Sequence, residues 1–163
     1  MDDKFSPPTS PGFNVNDISI RDARLDRFLV QKLVPEARLP TRGTAHSAGL
    51  DLHILLGDWI QPGETVRFGT GLAFSIPEGY EGHIHPRSSA FYRGLDLDGL
   101  IDADYRGEVL LQIRNTTKEA IELSAGERVA QLVIRPVAWF SAEEATELPP
   151  SGRGTGGFGS TGR

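Results

Sequence analysis

At 163 residues, 38% hydrophobic and 24% charged, the chain has room for one domain with a real core and too little for two ordinary ones. A net charge of -5 supplies no global field for nucleic acid, so any polyanion must be held by a local set of donors. The chain has no cysteine, which excludes disulfides and thiolate chemistry, and it has neither an apolar N-terminal leader nor a run of membrane-spanning length. Together these features predict a soluble, cytoplasmic protein with no nucleic-acid or membrane partner.

Residues 1–25 hold Pro7, Pro8, Pro11 and Gly12 among scattered acids and predict a flexible N-terminal arm. Residues 17–27 have the length for a short helix, but their apolar spacing is poor. From Phe28 the pattern changes to short apolar runs at 28–34, 50–56, 65–68, 72–76, 109–113, 121–123 and 129–137. Pro-Glu, Glu-Gly, Pro-Gly and Ala-Gly turns separate them, which describes an antiparallel barrel or sandwich. Residues 26–148 form that β-domain. After Trp139 and Phe140 the chain turns polar, and residues 149–163 are a Gly-rich tail. Trp59, Trp139 and Phe140 fit a core or a subunit contact better than a ligand platform.

Five islands carry residue types suited to chemistry. In order they are Ser47-Ala48-Gly49-Leu50-Asp51-Leu52, Pro86-Arg87-Ser88-Ser89-Ala90, Gly99-Leu100-Ile101-Asp102-Ala103-Asp104-Tyr105-Arg106-Gly107-Glu108, Glu127-Arg128-Val129-Ala130-Gln131-Leu132-Val133, and the tail. Each alone has a structural explanation: a turn entering a strand, a loop, a solvated hairpin, strand-edge charges, flexible coil. On a strand, Asp102, Asp104, Arg106 and Glu108 would share one face and Ala103, Tyr105 and Gly107 the other. A strand would also hold the Asp102 carboxylate rigidly, which makes it the first candidate for the chemistry. His83 and His85 share a face at strand spacing, but no third ligand lies near them in sequence, so the pair argues against zinc.

Together and in this order, the five islands resemble the trimeric deoxyuridine triphosphatase (dUTPase) family, from about Phe28 to Arg163. The resemblance implies an all-β, jelly-roll-like subunit that assembles as a homotrimer, with three sites at the subunit boundaries. It implies hydrolysis of dUTP to dUMP and pyrophosphate by water attack at the α-phosphorus, lowering dUTP and supplying dUMP for thymidylate synthesis. Asp102 would be the general base for that water, with Gln131 as a second hydrogen-bond partner. Tyr105 would pack on the deoxyribose and exclude a 2′-hydroxyl, and Leu100 belongs to the backbone that reads uracil. Ser88, the backbone around Ser89, and Arg87 would hold the phosphates, unless Arg87 serves instead in an internal ion pair. Mg²⁺ would ride on the phosphates, with Asp51 reaching its water shell. In the tail, Phe158 would stack on uracil, while Arg153, Gly157, Ser160 and Thr161 close over the substrate.

The sequence departs from the family pattern at two points within this span. Ser89 stands where the second motif usually has glycine. The connection through Asp96-Leu97-Asp98 is short and acidic, which puts base specificity in question. Two other readings remain open. One is a dCTP deaminase or a dCTP/dUTP-hydrolysing relative, although the catalytic glutamate of deaminases aligns with Gln112, which cannot shuttle a proton. The other is a protein-binding module, or a dUTPase with an added regulatory role through its N-terminal arm.

Overall fold

The computed structural model describes residues 28–157. The N-terminal arm, the possible helix at 17–27, and the tail residues Phe158, Ser160 and Thr161 lie outside them. In chain order the elements are β1 (Leu29–Lys32), β2 (Leu50–His53), β3 (Asp58–Ile60), β4 (Thr65–Gly69), β5 (Leu72–Ser75), β6 (Tyr80–Pro86), the single turn α1 (Ser88–Tyr92), β7 (Leu95–Asp96), β8 (Gly99–Ile101), β9 (Leu110–Asn115), β10 (Ile121–Leu123) and β11 (Arg128–Pro136).

Every strand pair is antiparallel. The largest sheet has the order β2-β11-β6-β8, and a second has the order β4-β9-β7. Two ribbons, β1-β5 and β3-β10, complete an all-β, jelly-roll-like sandwich. Alternation drives the burial: in β9, Leu111, Ile113 and Asn115 point inward while Leu110, Gln112 and Arg114 face solvent. Leu52, Ile54, Ile60, Leu72, Phe74, Leu95, Ile113, Leu123 and Leu132 form the centre of one core. None of the described helices is long and apolar enough to cross a membrane.

All seven apolar runs contain observed strands, with ends shifted by up to a few residues. The expectation that Asp102 sits on a strand is corrected. β8 stops at Ile101, and the Tyr105 amide donates to the Asp102 carbonyl at 3.1 Å, so residues 102–105 form a turn. Regular pairing resumes at Leu110, and the alternation expected for Asp102 through Glu108 does not apply. Glu108 reaches back to the Gly71 amide at 2.8 Å, fixing that loop against the β4–β5 connection.

Candidate functional site

The first, second and fourth islands converge on one cleft of about 290 Å³, lined by Asp51, Arg87, Ser88, Ser89 and Gln131 with Gly43, Ser47 and Gly49. Asp51 and Gln131 are cross-strand partners on β2 and β11, so sheet register brings them together. The Asp51 carboxylate is buried and held from both sides: Arg87 Nε lies 2.9 Å from Oδ1 and Arg128 Nη1 3.1 Å from Oδ2. Arg87 is therefore in an ion pair, the second of the two roles its position allows. Arg128 is a site residue that its strand-edge reading passed over. The Gln131 amide donates to the Pro86 carbonyl at 3.3 Å, and a Cβ on Gly49 would stand 2.3 Å from Gln131 Oε1. Glycine at 49 is thus what allows Gln131 to lie against the first motif.

Ser88 and Ser89 open α1, whose N-cap residue Arg87 makes no side-chain cap. The first amides of such a turn have no partner within it, and both serines line the cleft. His53, two residues beyond Asp51 on β2, has its pKa lowered by burial and then by the Arg38 and Arg128 guanidiniums. It stays neutral at pH 7 and adds no third cation to this cluster.

Asp102 lies in a different cleft, of about 680 Å³, with Leu100, Ala103, Asp104 and Arg106 on one side and Tyr80, Glu81, Val137 and Trp139 on the other. Arg106 Nη1 donates to the carbonyls of Ala103 and Tyr105 at 2.6 and 2.9 Å, which stiffens the turn that presents Asp102. The Tyr105 hydroxyl donates to the Glu108 carbonyl at 3.0 Å, and the ring is half exposed. A Cβ on Gly107 would lie 2.6 Å from the ring carbon Cζ, so the ring rests on the space that glycine leaves.

Within one chain the two clefts do not merge. Ile101 pairs with Gly82 and Glu81 with Arg135, whereas Gln131 pairs with His85. Asp102 is therefore offset from Gln131 by two strands and four residues, about 10 Å across and about 13 Å along the sheet. Inside a single subunit the two side chains therefore do not meet at one water, which leaves the expected site at a subunit boundary as the place where they could. The tail residue Arg153 is exposed and donates from Nε to the Gly156 carbonyl at 2.7 Å, turning the described part of the tail on itself. Neither Arg153 nor Gly157 lines either cleft.

The short acidic connection through Asp96-Leu97-Asp98 is held at three points. Leu97 is buried, Asp96 is held in β7 opposite Arg114, and Asp98 Oδ1 lies 2.6 Å from His83 Nε2. Gln112 faces outward from β9 and accepts from Arg67 Nε at 3.3 Å, away from both clefts, and it supplies no acid for deamination.

A family model described as dUTPase matches residues 35–162. The deoxyuridine 5'-triphosphate nucleotidohydrolase of Nautilia profundicola is 47% identical over 84% of this chain and 99% of its own length. That of Hydrogenobaculum sp. is 44% identical over 83% and 98%. Among solved structures, a mutant dUTPase of Staphylococcus bacteriophage 80alpha with dUpNHpp superposes with a TM-score of 0.80 at 28% identity, covering 85% of this chain and 99% of that one. A mutant dUTPase from phage phi11 of S. aureus, studied for the coordination of a structural Mg(II) ion, gives 0.72 at 26% identity, with 77% and 100% covered.

Proposed function

Because this chain belongs to the dUTPase family, we propose that it hydrolyses dUTP to dUMP and pyrophosphate by water attack at the α-phosphorus, and that its site is completed only between subunits. The observation that carries this reading is the cleft that gathers Asp51, Arg87, Ser88, Ser89 and Gln131 from three separate motifs. It offers hydroxyls, amides and guanidinium charge to a triphosphate in a protein whose overall charge is negative. Such donors stabilise the charge that develops on a pyrophosphate leaving group.

Asp102 is the general base in this proposal. Its turn lies outside the phosphate cleft of its own chain, so the turn of a neighbouring copy would face that cleft in a cyclic trimer. Gln131 would then meet the attacking water from the phosphate side and Asp102 from across the boundary. Tyr105 would lie along the deoxyribose, and Leu100 would border the base.

The residues present fit Mg²⁺ as an outer-sphere guest. Two of the roughly four lone-pair sites on the Asp51 carboxylate are taken by Arg87 and Arg128. Two flanking guanidiniums disfavour direct ligation of a dication, while the remaining lone pairs can accept from an ion's water shell. Bound to the phosphates, the ion would neutralise part of their charge. Asp51 would orient its waters, and Arg87 and Arg128 would hold the Asp51 carboxylate in place.

The test is pyrophosphate release from dUTP by wild type and by Asp102→Asn. Asparagine keeps the shape and cannot accept a proton, so turnover should fall at least about a hundredfold while nucleotide binding persists. A variant that keeps more than about a tenth of wild-type turnover would remove Asp102 from the role of base.

A further inference from the structure

We propose that His83, His85 and Asp98 form a binding site for a zinc-type divalent ion, separate from the Mg²⁺-nucleotide cleft. On β6, alternation sends Gly82 and Ile84 into the core and both imidazoles to the opposite face. The two rings stack with centroids 4.0 Å apart and planes 14° apart. The sequence offers this pair no third ligand nearby, but the fold supplies one. Pairing of Ile84 with Gly99 and of His83 with Leu100 draws the residue just before β8 alongside β6. That residue is Asp98, whose Oδ1 lies 2.6 Å from His83 Nε2. The donor atoms of all three residues fall within 4.8 Å of one another.

Two imidazole nitrogens and one carboxylate oxygen are the donor set of an open zinc site, with the fourth position left to water. With bonds of about 2.0–2.1 Å, tetrahedral donors stand about 3.3 Å apart, so the cluster has to adjust by an ångström or so to close on the ion. The strand holds the imidazoles in place, and Asp98, whose side chain is 76% exposed, is free to make that adjustment. Nitrogen donors select zinc, cobalt, nickel or copper over Mg²⁺, which prefers an all-oxygen shell.

The position gives the site a mechanical consequence. His85 pairs with Gln131 and adjoins Pro86 at the start of the phosphate-binding segment, and Asp98 adjoins β8, which leads into the Asp102 turn. An ion here ties the strand that leads into the phosphate loop to the strand that leads into the Asp102 turn.

Titration calorimetry of metal-free protein with zinc chloride, without nucleotide, should give one ion per chain whatever the outcome of the hydrolase assays. Asp98→Asn should weaken binding by more than about a hundredfold, beyond the usual loss from outer-shell changes. His85→Ala should abolish it, and His46→Ala, at an exposed position that is not one of the three clustered residues, should leave it unchanged. Cobalt(II) should bind with the visible absorption of a four-coordinate site, and excess Mg²⁺ should not displace it. Circular dichroism checks folding; should His85→Ala misfold, the exposed Asp98→Asn substitution carries the test. No zinc uptake by wild type, uptake undiminished in Asp98→Asn, or displacement by Mg²⁺ would each overturn the site.

Discussion

Two guanidiniums on one buried carboxylate set the electrostatics around Asp51. Removing either cation leaves the other to hold a charge that burial penalises, so these residues shape the cleft before any nucleotide arrives. At Tyr105 the decisive contact is steric. Its hydroxyl is tethered to the Glu108 carbonyl and its ring lies over Gly107, which fixes where the proposed wall against a 2′-hydroxyl stands. Tyr105→Ala should therefore raise the rate on UTP relative to dUTP, because losing a wall helps the wrong substrate while weakening packing on the right one. Gly107→Ala should shift the same ratio in the same direction by displacing the ring. Steady-state kinetics on both nucleotides decides, and a proportional loss on both would leave Tyr105 without the discriminating role. At this scale the motifs single out Asp51, Asp102 and Gln131, yet motif reading could not reveal that Arg128 shares Asp51 with Arg87. That pairing depends on the register between β2 and β11, a long-range fact that local sequence does not encode.

Strands marked by apolar runs are legible from sequence because their core-facing positions, such as Leu111 and Ile113 in β9, are apolar. β6 escapes that reading. Its core positions are Gly82 and Ile84, its other face carries His83 and His85, and so the very strand that organises the largest sheet looks polar. β7 and β8 are too short for periodicity to register. The connection from β9 to β10 hides a different device. Asn115 is fully buried, donates to the carbonyls of Ile60 and Glu119 at 2.9 and 2.7 Å, and accepts from the Thr117 amide and hydroxyl at 2.9 and 2.8 Å. It thereby joins the ends of β3 and β9 and closes the turn after β9. Asn115→Ala should destabilise the protein by at least about 2 kcal/mol, since it strands buried carbonyl and amide groups besides leaving a void. Urea denaturation at fixed protein concentration measures this. A loss below about 0.5 kcal/mol would mean that water replaces every bond the amide makes.

Over the whole molecule, the groups proposed for one reaction are divided between two ends of one sheet, with Asp102 about 16 Å from Gln131 by strand spacing. A protein so divided gains a complete site only by assembly, and the tail adds a third contribution. The chain leaves β11 beside its own Asp102 cleft, where Val137 and Trp139 form part of the wall. From Trp139 to Arg153 the backbone can span up to about 45 Å when extended, so reach alone does not choose between the chain's own site and another. Deleting residues 151–163 should leave the β-core folded, because the tail holds one aromatic and six glycines and can bury little apolar surface. Activity should collapse, since the proposed phosphate contact from Arg153 and the stacking ring of Phe158 are lost. Mixing this truncation with Asp102→Asn pairs two inactive proteins. If Asp102 and the tail of one site come from different subunits of a cyclic trimer, random exchange of equal amounts restores about one quarter of the sites, half times half. If both come from one chain, every site keeps a defect. Pyrophosphate release from the mixture, once native mass spectrometry has verified exchange, distinguishes the two arrangements, and a mixture as inactive as its parents would confine the tail to its own chain's Asp102.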